Sequence, residues 1–307
     1  MGLARTALLW ISENRALRRA LPNYRFIRRA VSRFMPGEEL DDALEAALGL
    51  QRGGIRTILT RLGENVLDRR TAREVTDHYV EVTRRLRERS VDSYLSVKLT
   101  QLGLDLDEAL CRENLERICN AAEDVDTWVW IDMEQSTYVD RTLEVYKEMR
   151  SRHRKVGICL QAYLRRTARD LEGLLPLSPS IRLVKGAYKE PASIAFAKRA
   201  EVDRNYLALS TTLLETTPQG AIFGVATHDQ ALIDRIIAEA NKRGAGKSRY
   251  EFQMLYGIRM DAQRRLAGEG YSVRCLISYG SYWFPWYVRR LAERPANVWF
   301  VLKNLLS

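Results

Sequence analysis

The feature that most constrains the fold of this chain is a regular alternation of short apolar runs with helix-length stretches of mixed charge. The runs lie at 54–63, 94–103, 127–134, 156–164, 180–188, 221–229, 250–257 and 271–280. Nearly continuous apolar runs are typical of parallel strands covered on both faces, and each interval is long enough for one helix. Eight βα units that close on themselves form a (β/α)8 barrel of the α/β class. We therefore predict a TIM-type barrel over residues 41–307, preceded by N-terminal helices, with an open doubly wound sheet as the alternative.

Most of the positive charge lies at the start of the chain. Residues 1–35 hold eight arginines and one acid, Glu13, so this segment carries +7 of the net charge of +10. Its apolar residues recur at helical spacing, which predicts a basic helical arm over residues 1–40. Such an arm suits anionic lipid headgroups or, less well, nucleic acid. A transit peptide, or a solvated helix that caps the barrel, would fit the same pattern.

The composition argues against several kinds of site. The chain has 3 histidines and 4 cysteines, without a CxxC pair or metal-ligand spacing, so we predict no metal and reduced thiols. Neither GxGxxG nor GxxxxGK[ST] occurs, so no Rossmann crevice or P-loop is indicated. No run of eighteen apolar residues and no secretory h-region is present. These features together predict a cytoplasmic protein.

Polar side chains collect where the predicted strands end, which is the edge at which a barrel places its chemistry. The donors in this set are Lys98, Gln161, Arg182, Lys185 and His228, and the main carboxylate is Asp132. The set suits an anionic, planar ligand. Because neither an activated nucleophile nor a metal site is evident, we expect a cofactor to carry the reaction.

The stretch 279–300 combines aromatic residues with two adjacent arginines, Arg289 and Arg290. Guanidinium groups present planar donor forks that bind a carboxylate, and the aromatic rings would enclose a small apolar body. Glu293 lies four residues after Arg289, on the same helical face, and can brace it. The stretch predicts a site for a small carboxylic acid, with a basic amphipathic helix packed on the core as the alternative.

Seven motifs, in their order and spacing, closely resemble the proline dehydrogenase family: SVKLTQLG, WIDME, CLQAYL, RLVKGAYKEP, ATHD, EFQMLYGIR and YVRRLAERPAN. Members are FAD-dependent flavoenzymes on a (β/α)8 barrel, and the basic arm resembles the helices before the barrel in single-function bacterial members. The resemblance implies oxidation of L-proline to 1-pyrroline-5-carboxylate by hydride transfer to N5 of non-covalent FAD. It also implies a membrane quinone as electron acceptor, peripheral association with the inner face of the membrane, and a separate pyrroline-5-carboxylate dehydrogenase downstream. No nucleic-acid partner is expected.

The resemblance assigns a role to each matching residue. Asp132 and Arg182 would be catalytic, Asp132 by tying the cations together and Arg182 by lying against flavin N5. The substrate would be bound by Lys98, Tyr188, Leu255, Arg289 and Arg290, the cations holding its carboxylate. The FAD would be held by Met133, Gln161, Val184, Lys185, Gly186, Ala187, Thr227 and His228. Glu64 would close the site by pairing with Arg289, and Glu293 belongs to the same gate.

Three positions depart from the family pattern. Leu276 and Trp286 stand near the substrate ring where many members carry tyrosine, and Lys189 replaces the aromatic residue of bifunctional members. The last change implies that the adenine is held differently. The first two leave hydroxyproline, or another cyclic or N-alkyl amino acid, as an alternative substrate. A flavin- and folate-binding reductase on a related barrel is a remoter alternative, since it would lack the Arg289-Arg290 pair.

Overall fold

The computed structural model describes residues 33–283. Most of the predicted basic arm, at 1–32, lies outside the described residues. So do Trp286 and the predicted carboxylate-binding and gate residues Arg289, Arg290 and Glu293.

Within the described range, eight parallel strands pair in sequence order, and the last strand pairs back with the first to close a barrel. The strands are β1 Arg56–Arg61, β2 Ser93–Val97, β3 Val129–Ile131, β4 Val156–Gln161, β5 Ser180–Val184, β6 Phe223–Ala226, β7 Glu251–Leu255 and β8 Ser272–Tyr279. The predicted (β/α)8 barrel is confirmed. The pairing of β1 with β8, which runs from Arg56 opposite Arg274 to Arg61 opposite Tyr279, rules out the open sheet.

In residues 33–283, one helix precedes β1 and another lies between each pair of successive strands. The helices are α1 Leu40–Gln51, α2 Arg69–Glu88, α3 Glu108–Glu123, α4 Val139–Arg152, α5 Thr167–Leu174, α6 Arg199–Thr216, α7 Gln230–Lys242 and α8 Met260–Gly268. Side chains define two of the starts: Asp68 accepts from the Thr71 amide before α2, and Asp107 accepts from the Ala109 amide before α3. No helix in this part of the chain is long and apolar enough to cross a membrane.

The strands are shorter than the apolar runs that predicted them. The second run, 94–103, stops being a strand at Val97 and continues as the 3-10 turn Leu99–Leu102. Leu99 and Leu102 are fully buried, so the turn is as apolar as the strand. An apolar run indicates which residues are buried, and here the buried residues continue past the end of the strand.

The interior of the barrel, here called the lumen, is unusually polar. Barrel interiors are dominated by branched aliphatic side chains, whereas this lumen contains Arg182, Glu251, Gln253 and Arg274, all buried. Hydrogen bonds join Arg182 on β5 to residues of β2 and β7, which are not its neighbours in the sheet. Side chains of non-adjacent strands can meet only inside the barrel, so these polar groups point into the lumen.

Candidate active site

Three side chains converge on one carboxylate at the C-terminal edge of β2, β3 and β5. Asp132 directly follows β3, and its Oδ1 accepts from Ser96 Oγ at 2.7 Å and from Arg182 Nη1 at 2.8 Å. Its Oδ2 lies 3.4 Å from Nζ of Lys98, which directly follows β2. We call Ser96, Lys98, Asp132 and Arg182 the carboxylate cluster. The structure thus brings together three predicted site residues, and adds Ser96.

Lys98 is held in its charged form. Burial opposes the ammonium charge, but Asp132, with Tyr79, Glu134 and Glu64, raises the pKa of Lys98 above its ordinary value. Tyr79 supports the cluster from α2, because its hydroxyl donates to the Ser96 carbonyl at 2.9 Å and accepts from the Arg61 amide at 3.0 Å. A fixed cation therefore stands at the mouth of the barrel.

Arg182 is 3% exposed and bonded on two of its three nitrogens. Nη1 donates to Asp132 and to Ser96 Oγ, Nε donates to Gln253 Oε1 at 2.6 Å, and the guanidinium lies 4.8 Å from the centre of the Trp130 ring. Nη2 is buried, and no described group accepts from it. A buried polar group without a partner costs about 1–3 kcal/mol, and more when it is charged. Nη2 therefore offers a strong donor to a ligand.

Gln161 ends β4 beside this cluster and holds the chain that leaves β3. Its Nε2 donates to the Met133 carbonyl at 3.2 Å, while its Oε1 is buried and accepts from no described group. Val184 lies opposite Gln161 across the β4–β5 pair. Two of the predicted cofactor residues, Gln161 and Met133, are thus in contact, and Gln161 Oε1 is still available as an acceptor.

The loop after β5 turns on Gly186. Its φ of +112° is a conformation that side chains rarely adopt, and a Cβ would lie 2.1 Å from the Tyr163 ring. The glycine therefore brings the backbone close to Tyr163, in addition to the predicted approach to a cofactor. Ala187 is exposed, whereas Tyr188 is half-buried.

Lys185 belongs to a second charged group, around Asp229. Its Nζ pairs with Asp203 and with Asp229 at 2.8 Å, and Arg199 pairs with both carboxylates. Burial acts to raise the pKa of Asp229, but hydrogen bonds from Lys185 and Arg199 lower it to about 2. Neither acid was predicted as a site residue: Asp203 lies within α6, where an acid is ordinary, and Asp229 ends the ATHD motif but was given no role.

His228 and Leu255 are in direct contact. The Leu255 amide donates to His228 Nε2 at 2.9 Å, so that nitrogen is unprotonated and the ring proton is on Nδ1. Thr227 Oγ1 accepts from the Asp229 amide at 3.2 Å. His228, which was predicted to bind the cofactor, therefore positions Leu255, which was predicted to contact the substrate.

Two further acids lie near the mouth of the barrel. Glu64 follows β1 and is half-buried. Glu134 was not predicted as a site residue: it is buried and accepts from the Thr100 amide at 3.1 Å and hydroxyl at 2.6 Å. Burial raises the pKa of Glu134, against the effect of these hydrogen bonds. Its place in the WIDME motif was the signal that could have identified it.

Leu276, the position that departs from the family, lies in the lumen wall. It is half-buried, packs against the cluster of Ile58, Tyr94 and Trp130, and lies opposite both Ile58 and Leu255 in the sheet. The lumen wall at position 276 is therefore an aliphatic side chain that packs beside two aromatic ones, Tyr94 and Trp130.

Comparison with known proteins agrees with this architecture. The family model described as Proline dehydrogenase matches residues 43–303. "Proline dehydrogenase 1" of Bacillus subtilis (strain 168) is 37% identical, covering 99% of this chain and 100% of that protein. "Proline dehydrogenase" of Deinococcus radiodurans is 38% identical, over 90% of this chain and 89% of that protein.

A crystal structure of proline utilization A from Bdellovibrio bacteriovorus, inactivated by N-propargylglycine, superposes with a TM-score of 0.80 at 22% identity. It covers 93% of this chain and 38% of the other, and at this identity it supports the fold alone. The family match over most of the chain, together with relatives above 30% identity over nearly their whole length, establishes that the chain belongs to the proline dehydrogenase family of enzymes.

Proposed function

We propose that this protein oxidises L-proline to 1-pyrroline-5-carboxylate with FAD bound non-covalently. The observation that carries the proposal is the carboxylate cluster at the C-terminal edge of the barrel, with a buried Arg182 Nη2 that no described group accepts from. Family membership supports proline as the substrate.

The described residues fit a flavin. An isoalloxazine ring offers both acceptors and donors, and the unpartnered Arg182 Nη2 and Gln161 Oε1 provide one donor and one acceptor on the paired strands β5 and β4. The residues that would hold the cofactor are Met133, Gln161, Val184, Lys185, Gly186, Ala187, Thr227 and His228. When bound, FAD supplies the two-electron acceptor of the reaction.

The local chemistry favours non-covalent binding. The four cysteines are buried, and burial raises the pKa of Cys159, the one nearest Arg182, to about 12, so its thiol is unreactive. Nε2 of His228 is occupied by the Leu255 amide. Acid precipitation should release the flavin into the supernatant, whereas yellow colour in the pellet would contradict this part of the proposal.

The side chains act on the substrate mainly by position. Arg289, Arg290 and Lys98 would bind the carboxylate of proline, and Tyr188 and Leu255 would contact its ring. Asp132 keeps Lys98 charged and, with Ser96, fixes Arg182. Held in this way, the carbon beside the ring nitrogen would lie at a reactive distance from the acceptor. A fixed Arg182 would stabilise negative charge that develops on the reduced cofactor.

Electrons would then pass to a membrane quinone, and a separate pyrroline-5-carboxylate dehydrogenase would consume the product. The basic arm at 1–40, distinct from the barrel at 41–307, would hold the protein on the cytoplasmic face of the membrane. Each basic residue near an anionic surface contributes about 1 kcal/mol, which salt screens. Liposome sedimentation should show binding to anionic vesicles that is lost on deleting residues 1–35. Equal binding to neutral vesicles would favour a helix that caps the barrel.

The test of the central proposal is an absorbance spectrum followed by a substrate panel. The purified protein should show flavin absorbance that L-proline bleaches without oxygen, and turnover with an artificial quinone. Bleaching by 4-hydroxyproline or an N-alkyl amino acid instead would favour the alternative substrates, for which the leucine at position 276 in the lumen wall is the supporting observation. A colourless protein without flavin would contradict the proposal.

A further inference from the structure

A continuous polar network runs down the lumen beneath the carboxylate cluster. Arg182 donates through Nε to Gln253 Oε1 at 2.6 Å, and Gln253 Nε2 donates to Glu251 Oε1 at 2.6 Å. Glu251 Oε2 lies 3.4 Å from Nε of Arg274, whose Nη1 donates to Asp92 at 2.9 Å. Arg182, Gln253, Glu251 and Arg274 are each less than a tenth exposed. We call these four residues, together with Asp92, the lumen network.

Gln253 is the only neutral member of this network, and its amide can point only one way. Arginine has donors alone, so the side-chain oxygen of Gln253 must face Arg182. An ionised carboxylate has acceptors alone, so the amide nitrogen must face Glu251. The amide therefore separates the cation from the carboxylate, and Glu251 pairs instead with Arg274. The charge of Arg182 is left balanced on one side, by Asp132.

The neighbouring strand leaves room for this amide. Gly224 on β6 lies between β5 and β7, and a Cβ there would lie 2.7 Å from Gln253 Nε2 and 2.8 Å from its Cδ. Gly224 lies opposite both Arg182 and Glu251 in the sheet. The missing side chain is thus what lets Gln253 cross from β7 to Arg182 on β5.

We infer that Gln253 is a positioning residue which, seated over Gly224, holds the guanidinium of Arg182 so that Nη2 faces the flavin. The inference rests on the proposed function, because the flavin is the group that Nη2 would meet. Asp132 and Ser96 both bind Nη1. The bond from Nε to Gln253 fixes a second point of the planar group, and two points set the direction of the third nitrogen.

The main test is Gln253→Met, which keeps the length of the side chain and removes both hydrogen bonds. Sulfite adds to flavin N5 and is favoured by a cation nearby, so its dissociation constant reports the position of Arg182 without turnover. We expect this constant to rise about tenfold, the effect of one hydrogen bond to a charged group, equivalent to about 30 mV for a two-electron couple. Turnover should fall by a similar factor, with little change in the KM for proline.

The matched control is Asn114→Leu. Asn114 is a buried amide on α3, outside the lumen, and donates to the Leu102 carbonyl at 3.0 Å. The Asn114→Leu variant should have a lower free energy of unfolding, as expected when any buried amide is lost. Its dissociation constant for sulfite should stay unchanged. Equal changes in the two variants would overturn the inference, because Gln253 would then act only on stability. Gly224→Ala, which pushes the amide without altering Gln253, should reproduce the sulfite shift and serves if Gln253→Met does not fold.

A crystal structure of whichever of these two lumen variants folds separates this inference from the proposed function. Displacement of the Arg182 guanidinium from its place beside Asp132 and Trp130 would support positioning by Gln253 even in a protein without flavin. An unmoved Arg182 would overturn the inference even in an active enzyme. Absence of flavin from the wild type would contradict the proposed function alone.

Discussion

Two buried arginines occupy opposite ends of the same lumen, and they differ in whether a buried donor is left without an acceptor. Arg274, 2% exposed, binds Glu251, Asp92 and the Thr57 carbonyl and lies 3.3 Å from the centre of the Tyr94 ring. Arg182, 3% exposed, keeps one buried nitrogen without an acceptor among the described residues, whereas Arg274 has no such nitrogen. An arginine that leaves no buried donor unpartnered, such as Arg274, is suited to supporting the fold. One with a bond still to make is suited to a ligand.

Arg274→Met should have the largest effect, and on stability. Removing one partner of a buried ion pair leaves Glu251 without its cation, which costs about 3–5 kcal/mol. Urea unfolding should show this loss, while the rate of flavin reduction per bound flavin stays close to wild type, since Gln253 still contacts both Glu251 and Arg182. A strong loss of that rate in a stable, flavin-loaded variant would break the distinction between the two arginines.

Arg182→Met should act on catalysis. Loss of one preorganised donor at developing charge lowers kcat by about 10²–10³-fold, measured with proline and an artificial quinone. Its unfolding free energy should fall less than in Arg274→Met, because Asp132 keeps Lys98 and Ser96 as partners. If both variants lose stability equally and the rate per flavin is unchanged, Arg182 is as structural as Arg274.

Arg290→Met extends the comparison to an arginine outside the described residues. If Arg290 binds the substrate carboxylate, the KM for proline should rise about tenfold to hundredfold, the effect of a lost charge-assisted hydrogen bond of about 1.5–3 kcal/mol. Flavin content should not change. Arg290→Lys is the control, since it keeps the charge but loses the planar fork. An unchanged KM in Arg290→Met would show that the assignment is wrong.

Leu276→Tyr should have the smallest effect, on selectivity alone. With leucine at this position, a hydroxyl on the substrate ring can fit together with a water molecule, and ordering that water costs about 0–2 kcal/mol. A phenol in the wall beside Ile58 and Trp130 would fill this space. The ratio of kcat/KM for proline over 4-hydroxyproline should rise, with flavin content unchanged, and Leu276→Met is the matched control. If the wild type already rejects hydroxyproline as strongly as the tyrosine variant, the wall at Leu276 does not set selectivity.

The order of strands and helices could be predicted because it depends on local pattern. Each apolar run became a strand of the barrel, and each interval between two runs, predicted to be long enough for one helix, contains one. The exact ends of the strands could not be predicted, because buried turns and buried strands have the same apolar composition. The 3-10 turn after β2 is an example. Family motifs marked Lys98, Asp132 and Arg182, which the structure joins in one cluster.

The sequence alone specifies the barrel and the polar residues at its C-terminal edge, since both follow from spacing along the chain. Only the tertiary structure decides which of those residues meet. Arg182 contacts Ser96 and Gln253, which are 86 and 71 residues away, and alternation along a strand shows that a side chain points inward without showing what it faces. Gln253 and Gly224 look unremarkable in their strands. Closing the barrel makes one the partner of Arg182 and the other the space that partner needs.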